Sequence, residues 1–140
     1  SYVALNPGVS FTTGNFTLET NDIVELEASI YVSAAVAGTE EGLLAGDQLN
    51  VKLQYSNNSG GAWSDLAGSE RRMGHAAATI NNALGNTEPV AHHGSVAPFA
   101  VYEATTGTTV SFRVVVFSNN SNDVYFEASS FAGVRLRRAN

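Results

Sequence analysis

The chain has no cysteine in its 140 residues, and only one methionine, one tryptophan and three prolines. Without cysteine there can be no disulfide and no thiolate metal site, so stability must come from core packing or from association. Charge is scarce as well. Asp, Glu, Lys and Arg make up 14% of the residues, against roughly 25% in ordinary soluble domains. The polar surface must therefore come largely from Ser, Thr, Asn and Gly, a balance typical of β-rich exterior proteins. No apolar run approaches the roughly 20 residues that a membrane-spanning helix needs. No basic-then-apolar stretch opens the chain, and neither a leader nor a membrane partner is expected.

The net charge is −6 and the pI is about 4.8, so a nucleic-acid partner is not expected. The charge is unevenly placed. Residues 1–70 carry nine acids and one base, Lys52, giving 1 − 9 = −8; residues 71–140 carry six arginines and four acids, giving 6 − 4 = +2. Such asymmetry can orient subunits against one another or against a partner.

What the chain does have is period-two alternation. Over residues 22–35, Val24, Leu26, Ala28, Ile30, Val32 and Ala34 share one face, and Glu25, Glu27, Ser29, Tyr31 and Ser33 share the other. A strand sorts these residues cleanly, because successive side chains point to opposite sides. Leu49, Val51, Leu53 and Tyr55 alternate with Asn50, Lys52, Gln54 and Ser56. An Asn- and Gly-rich turn at 56–61 and a returning strand at 62–66 follow. Over 108–118, Val110, Phe112, Val114 and Val116 alternate with Thr109, Ser111 and Arg113. The outer face then turns apolar at Val115 and Phe117, which predicts cover on both sides. Residues 124–128 and 133–138 supply further short strands.

Seven or eight antiparallel strands with turns at this spacing predict an all-β sandwich, with nothing that reads as a long helix. Two stretches fall outside the pattern. Residues 1–14 read as an extended N-terminal arm before one domain at 15–140. Residues 74–98 read as an irregular insertion with one or two helical turns at 76–84.

Residues suited to chemistry are present but do not form motifs. His75, His92 and His93 are candidate metal ligands, yet neighbouring residues on a strand point opposite ways, and no acid completes a ligand set. Glu40, Glu41 and Asp47, and the cluster Asn119, Asn120, Asn122 and Asp123, have calcium-binding atoms but the spacing of ordinary turns. No serine stands in a Gly-x-Ser-x-Gly elbow. No metal, cofactor or catalytic residue is therefore expected. Trp63 and Tyr102 are candidates for stacking on a sugar ring, although a lone tryptophan in a small sandwich more often sits in the core. Tyr31, Val115, Phe117 and Phe131 are apolar or aromatic residues at nominally outward positions, and Arg135 and Arg137 share one face of the last strand. These six are the candidate subunit contacts.

Several phrases carry a resemblance to a known family. They are the long strand at 23–35, the approach through Gly46, Asp47, Gln48 and Leu49, and the hairpin from Leu53, Gln54, Tyr55 and Ser56 to Trp63. The strand at 107–117 and the closing Ser129, Ser130, Phe131, Ala132, Gly133, Val134, Arg135 and Leu136 complete the set. This layout resembles the jelly-roll domains of the tumour-necrosis-factor and complement-head type, which recur as trimeric heads and decoration proteins on bacteriophage particles. The resemblance implies jelly-roll topology and a non-enzymatic capsid decoration, cement or fibre-head protein at the virion surface. Its implied partners are its own copies, as a homotrimer, and a major capsid or other virion protein. The alternative is a secreted or cell-surface carbohydrate-binding or adhesin module with a surface glycan as partner.

Overall fold

The structure is a computed structural model, and it describes residues 3–4, 11–33, 48–74, 79–81, 87–89, 94–118, 125–126 and 131–139. His75, His92, His93, Glu40, Glu41, Asp47 and the 119–123 cluster lie outside these residues. The described residues form strands, turns and bends, with no helix among them.

The strands are β1 (Val3–Ala4), β2 (Phe16–Leu18), β3 (Ile23–Ser33), β4 (Gln48–Ser56), β5 (Ser64–Asp65), β6 (Arg71–Gly74) and β7 (Thr79–Asn81). They continue with β8 (Thr87–Pro89), β9 (Gly94–Val96), β10 (Phe99–Glu103), β11 (Thr108–Ser118), β12 (Tyr125–Phe126) and β13 (Phe131–Arg137). The first sheet has β11 and β4 at its centre, with β1 and β2 flanking β11, and β5 and β6 flanking β4. The second sheet is built on β3. β9 and β10 run along one side in a common register, and β12 and β13 run along the other. Every pairing is antiparallel. The two sheets close on one apolar core, so the chain is an antiparallel β-sandwich.

The alternation read from the sequence fills that core. Val24, Leu26, Ala28 and Ile30 of β3 meet Leu49, Val51 and Leu53 of β4 and Val110, Phe112, Val114 and Val116 of β11, all buried. Each fully buried Val, Leu or Ile side chain stabilises the fold by about 1.5–3 kcal/mol relative to exposure. At one end an aromatic cluster closes the gap between the sheets. Tyr102 stands 4.9 Å from Tyr55 and 5.6 Å from Phe112, and Phe112 stands 6.2 Å from Phe16. β11 is buried on both faces at Val114, Val115 and Val116, as its apolar run predicts.

The structure places the described parts of the arm and corrects the helical turns expected at 76–84. Val3–Ala4 pairs with β11 of the same chain. Phe11–Thr13 then follows β11 through backbone bonds from Thr13 N to Phe112 O (2.8 Å) and from Val114 N to Phe11 O (3.1 Å). The described parts of the arm therefore complete a sheet of their own chain. In the 74–98 region, Thr79–Asn81 is a strand paired with Thr87–Pro89, not a helical turn. β-branched Thr79 and Ile80 suit an extended pair better than a helix.

Side-chain hydrogen bonds hold the irregular joints. Buried Ser69 accepts from Leu53 N and donates to Leu53 O, which anchors the four-residue excursion between Leu66 and Arg71 to β4. Between β4 and β5, Ser56 Oγ accepts from Gly60 N, and Asn58 Oδ1 accepts from Ala62 N. Ser59 and Gly60 adopt the left-handed backbone that the reversal requires.

The chain's C-terminal end is held by one carboxylate. Asp22 is 1% exposed and accepts from Glu19 N (2.9 Å), Arg138 Nη1 (2.6 Å) and Ala139 N (3.0 Å). The Glu19 amide bond does most to hold the Asp22 carboxyl below its ordinary 3.8. Burial opposes it, and the Ala139 amide and Arg138 guanidinium add to it. A lowered folded pKa gives stability that is present above the unfolded value and lost as pH falls through the folded one. The tether is therefore expected to hold down to the ordinary 3.8 and to release only as pH falls further, through the lowered folded value. Asp22→Asn should lower the thermal midpoint by several degrees at pH 7 and flatten the acid-side loss of stability, as read by thermal melts across pH 2–7.

Candidate functional site

The outer face of the second sheet is set by register. Phe99 lies across Glu27 from Gly133, Val101 lies across Glu25 from Arg135, and Glu103 lies across Ile23 from Arg137. Tyr31 pairs with Ser95, and Phe131 pairs with Ser29. Core-facing Leu26 and Ala100 force their neighbours outward, so Phe99 is left 48% exposed, Val101 52% and Tyr31 39%. These are the large apolar side chains exposed among the described residues, and all three lie on this one face. Gly133 lacks a side chain, which opens a depression of about 420 Å³ bordered by Phe99, Glu25, Glu27 and Arg135.

The charges around the depression are incompletely matched. Arg137 Nη1 donates to Glu25 Oε1 at 3.1 Å, while Arg135 Nη1 stands 3.9 Å from the other Glu25 oxygen. Two guanidinium groups thus share one carboxylate, and exposed Glu27 has no ion pair among the described residues. Exposed pairs of this kind contribute at most about 1 kcal/mol. The face therefore offers an incompletely matched cation, the Glu27 carboxylate and apolar side chains within a small area.

Four of the six candidate contacts belong to this sheet: Tyr31, Phe131, Arg135 and Arg137. Val115 and Phe117 stand on β11 of the other sheet. Val115 is fully buried within its own chain and offers no surface to a neighbour, and Phe117 is half-buried. Phe99, Val101, Glu27 and Gly133 were missed as site residues. Their signal is faint: Phe99, Ala100, Val101 and Tyr102 form an unbroken apolar run, as Val114–Phe117 of β11 also does.

The sugar-stacking candidates separate. Tyr102 points into the sandwich, and burial, helped by neighbouring Tyr55, pushes its phenol above its ordinary value. Trp63 stands outside the core and half-exposed, with the Arg113 guanidinium 4.3 Å from its ring centroid. Arg113 Nε donates to Gln54 Oε1, Gln54 Nε2 donates to Asp65 Oδ1, and Lys52 Nζ donates to Asp65 Oδ2. This belt across the first sheet fixes Trp63 by a cation–π contact in place of core burial. The Lys52 bond, then the Gln54 bond, hold the Asp65 carboxyl below its ordinary value.

Among the described residues, no three His, Asp or Glu side chains stand close enough to hold a metal ion, and no helix is long and apolar enough to cross a membrane. No family model, curated protein or solved structure matches the chain.

Proposed function

We propose that this chain is a non-enzymatic structural subunit that assembles with copies of itself, as a homotrimer, through the outer face of the β3 sheet. The observation that carries the proposal is the concentration of Tyr31, Phe99 and Val101 on one sheet face, beside the Gly133 depression. Apolar side chains gathered on a solvent face mark an interaction surface. Arg135, which shares the Glu25 carboxylate with Arg137, and Glu27 favour a partner that carries the same charges, and a second copy does.

The strand order supports jelly-roll topology. In an eight-stranded jelly roll, one sheet runs first-eighth-third-sixth and the other second-seventh-fourth-fifth. With β1/β2 as the second strand, β3 the third, β4 the fourth and β5/β6 the fifth, the order can be followed through β9/β10, β11 and β12/β13 as sixth to eighth. Among the described residues the sheets then read second-seventh-fourth-fifth and eighth-third-sixth, the order of a jelly roll from its second strand onward. That arrangement favours the tumour-necrosis-factor and complement-head type, and with it a capsid decoration or fibre-head role at a virion surface.

Because the chain has no cysteine, introduced thiols test the surface cleanly. Thiol reactivity of Phe99→Cys should fall manyfold as protein concentration rises through assembly, while Thr109→Cys, exposed on the other sheet, should stay fast. Equal reactivity at all concentrations would exclude this face. A glycan-binding module is the second reading, favoured by half-exposed Trp63 beside the polar 56–61 turn. It requires a glycan array signal that Trp63→Ala abolishes.

A further inference from the structure

We infer that the free edge of β13 accepts an added strand from a partner protein, an extended segment in which apolar and acidic residues alternate. The pairing pattern is the first support. β13 pairs with β3 along Phe131–Arg137, and among the described residues no strand pairs with its other edge. An edge of seven residues that no described strand pairs with presents a row of backbone donors and acceptors, which is the template for strand addition.

The side chains point the same way. Ala132, Val134 and Leu136 stand opposite Ala28, Leu26 and Val24, so they face the core. Their partners on β3 are at most 3% exposed, yet Ala132 is exposed and Val134 and Leu136 are only half-buried. A narrow seam runs here between β13 and the Phe11–Thr13 segment of the other sheet, lined mainly by apolar residues such as Phe11, Leu26, Phe112 and Val134, together with Glu27 and Arg113. A strand laid along β13 would send alternate residues over that seam and cover apolar surface that the chain leaves half-open. It would occupy the position beside the eighth strand in the order described above.

Charge defines the occupant. The remaining residues of an added strand would stand beside Arg135 and Arg137, which share the single carboxylate of Glu25. Acidic side chains at those positions would complete the pairing, and basic ones would be repelled. This chain's own run of that character, Val24, Glu25, Leu26 and Glu27, is committed to the centre of β3. The occupant is therefore a partner's strand and not a second copy's. This edge adjoins the Phe99 face and shares Arg135 with it, but its test reads peptide binding directly and does not depend on self-assembly.

Three blocked ten-residue peptides test the inference by fluorescence anisotropy and hydrogen exchange: alternating Val and Glu, alternating Val and Lys, and the Val–Glu peptide interrupted by prolines. The Val–Glu peptide should bind saturably and slow amide exchange across residues 131–137. Affinity should fall about tenfold or more for the Lys and Pro peptides, and for the Val–Glu peptide on an Arg135→Glu, Arg137→Glu protein. No saturable binding, equal binding of all three peptides, or indifference to the arginine substitutions would overturn the inference. So would protection of 131–137 that appears on self-association without peptide, because a second copy would then hold the edge.

Discussion

Phe112→Ala is expected to remove about 3–5 kcal/mol of stability, the range for deleting a buried aromatic side chain. Phe112 is 1% exposed and sits where both sheets and the terminal segment meet. Its ring contacts Tyr102 and Phe16, its strand neighbour is Tyr55, and its backbone bonds with Thr13 on the other side. Truncation leaves a cavity bordered by three elements that cannot all collapse into it. Domains of this size are stable by about 5–15 kcal/mol in total, so the variant should unfold at markedly lower urea, or fail to fold at 37 °C. A loss below about 1 kcal/mol in urea titration would show that the aromatic cluster is not the keystone of the core.

Phe99→Glu combined with Val101→Glu should abolish self-assembly while leaving the monomer folded. Both side chains are about half exposed, so replacement in the isolated chain removes little core packing. In an assembled face, the same change buries two carboxylates close to Glu25 and Glu27. Unpaired buried charge costs several kcal/mol, and each 1.4 kcal/mol weakens association about tenfold. Dissociation constants should therefore rise by at least about a thousandfold, with an unchanged circular-dichroism spectrum. A double variant that assembles as the parent does would move the contact surface elsewhere.

The alternation of β3, β4 and the first half of β11 made the core legible, because each has one apolar and one polar face there. That signal failed where both faces are apolar. In β10, Ala100 and Tyr102 turn inward and Phe99 and Val101 turn outward, but all four side chains are apolar, so sequence alone cannot assign the faces. The strongest part of the candidate surface was therefore hidden. The direction in which Trp63 faces was hidden for a related reason. Its position is fixed by Arg113 from a strand 50 residues away, a long-range contact that local pattern does not encode. The 74–98 region defeated periodicity because its strands are only three or four residues long. The register between strands, which places Gly133 opposite Glu27 and so opens the depression, exists only once the sheet has formed.

Sedimentation equilibrium of the unmodified chain across micromolar concentrations bears most directly on the central claim, that the outer face of the β3 sheet is a self-assembly surface. Three chains of 14.7 kDa predict a species of about 44 kDa, reduced to a single chain's mass in the Phe99→Glu, Val101→Glu protein. A single species of one chain's mass throughout that range would contradict the account.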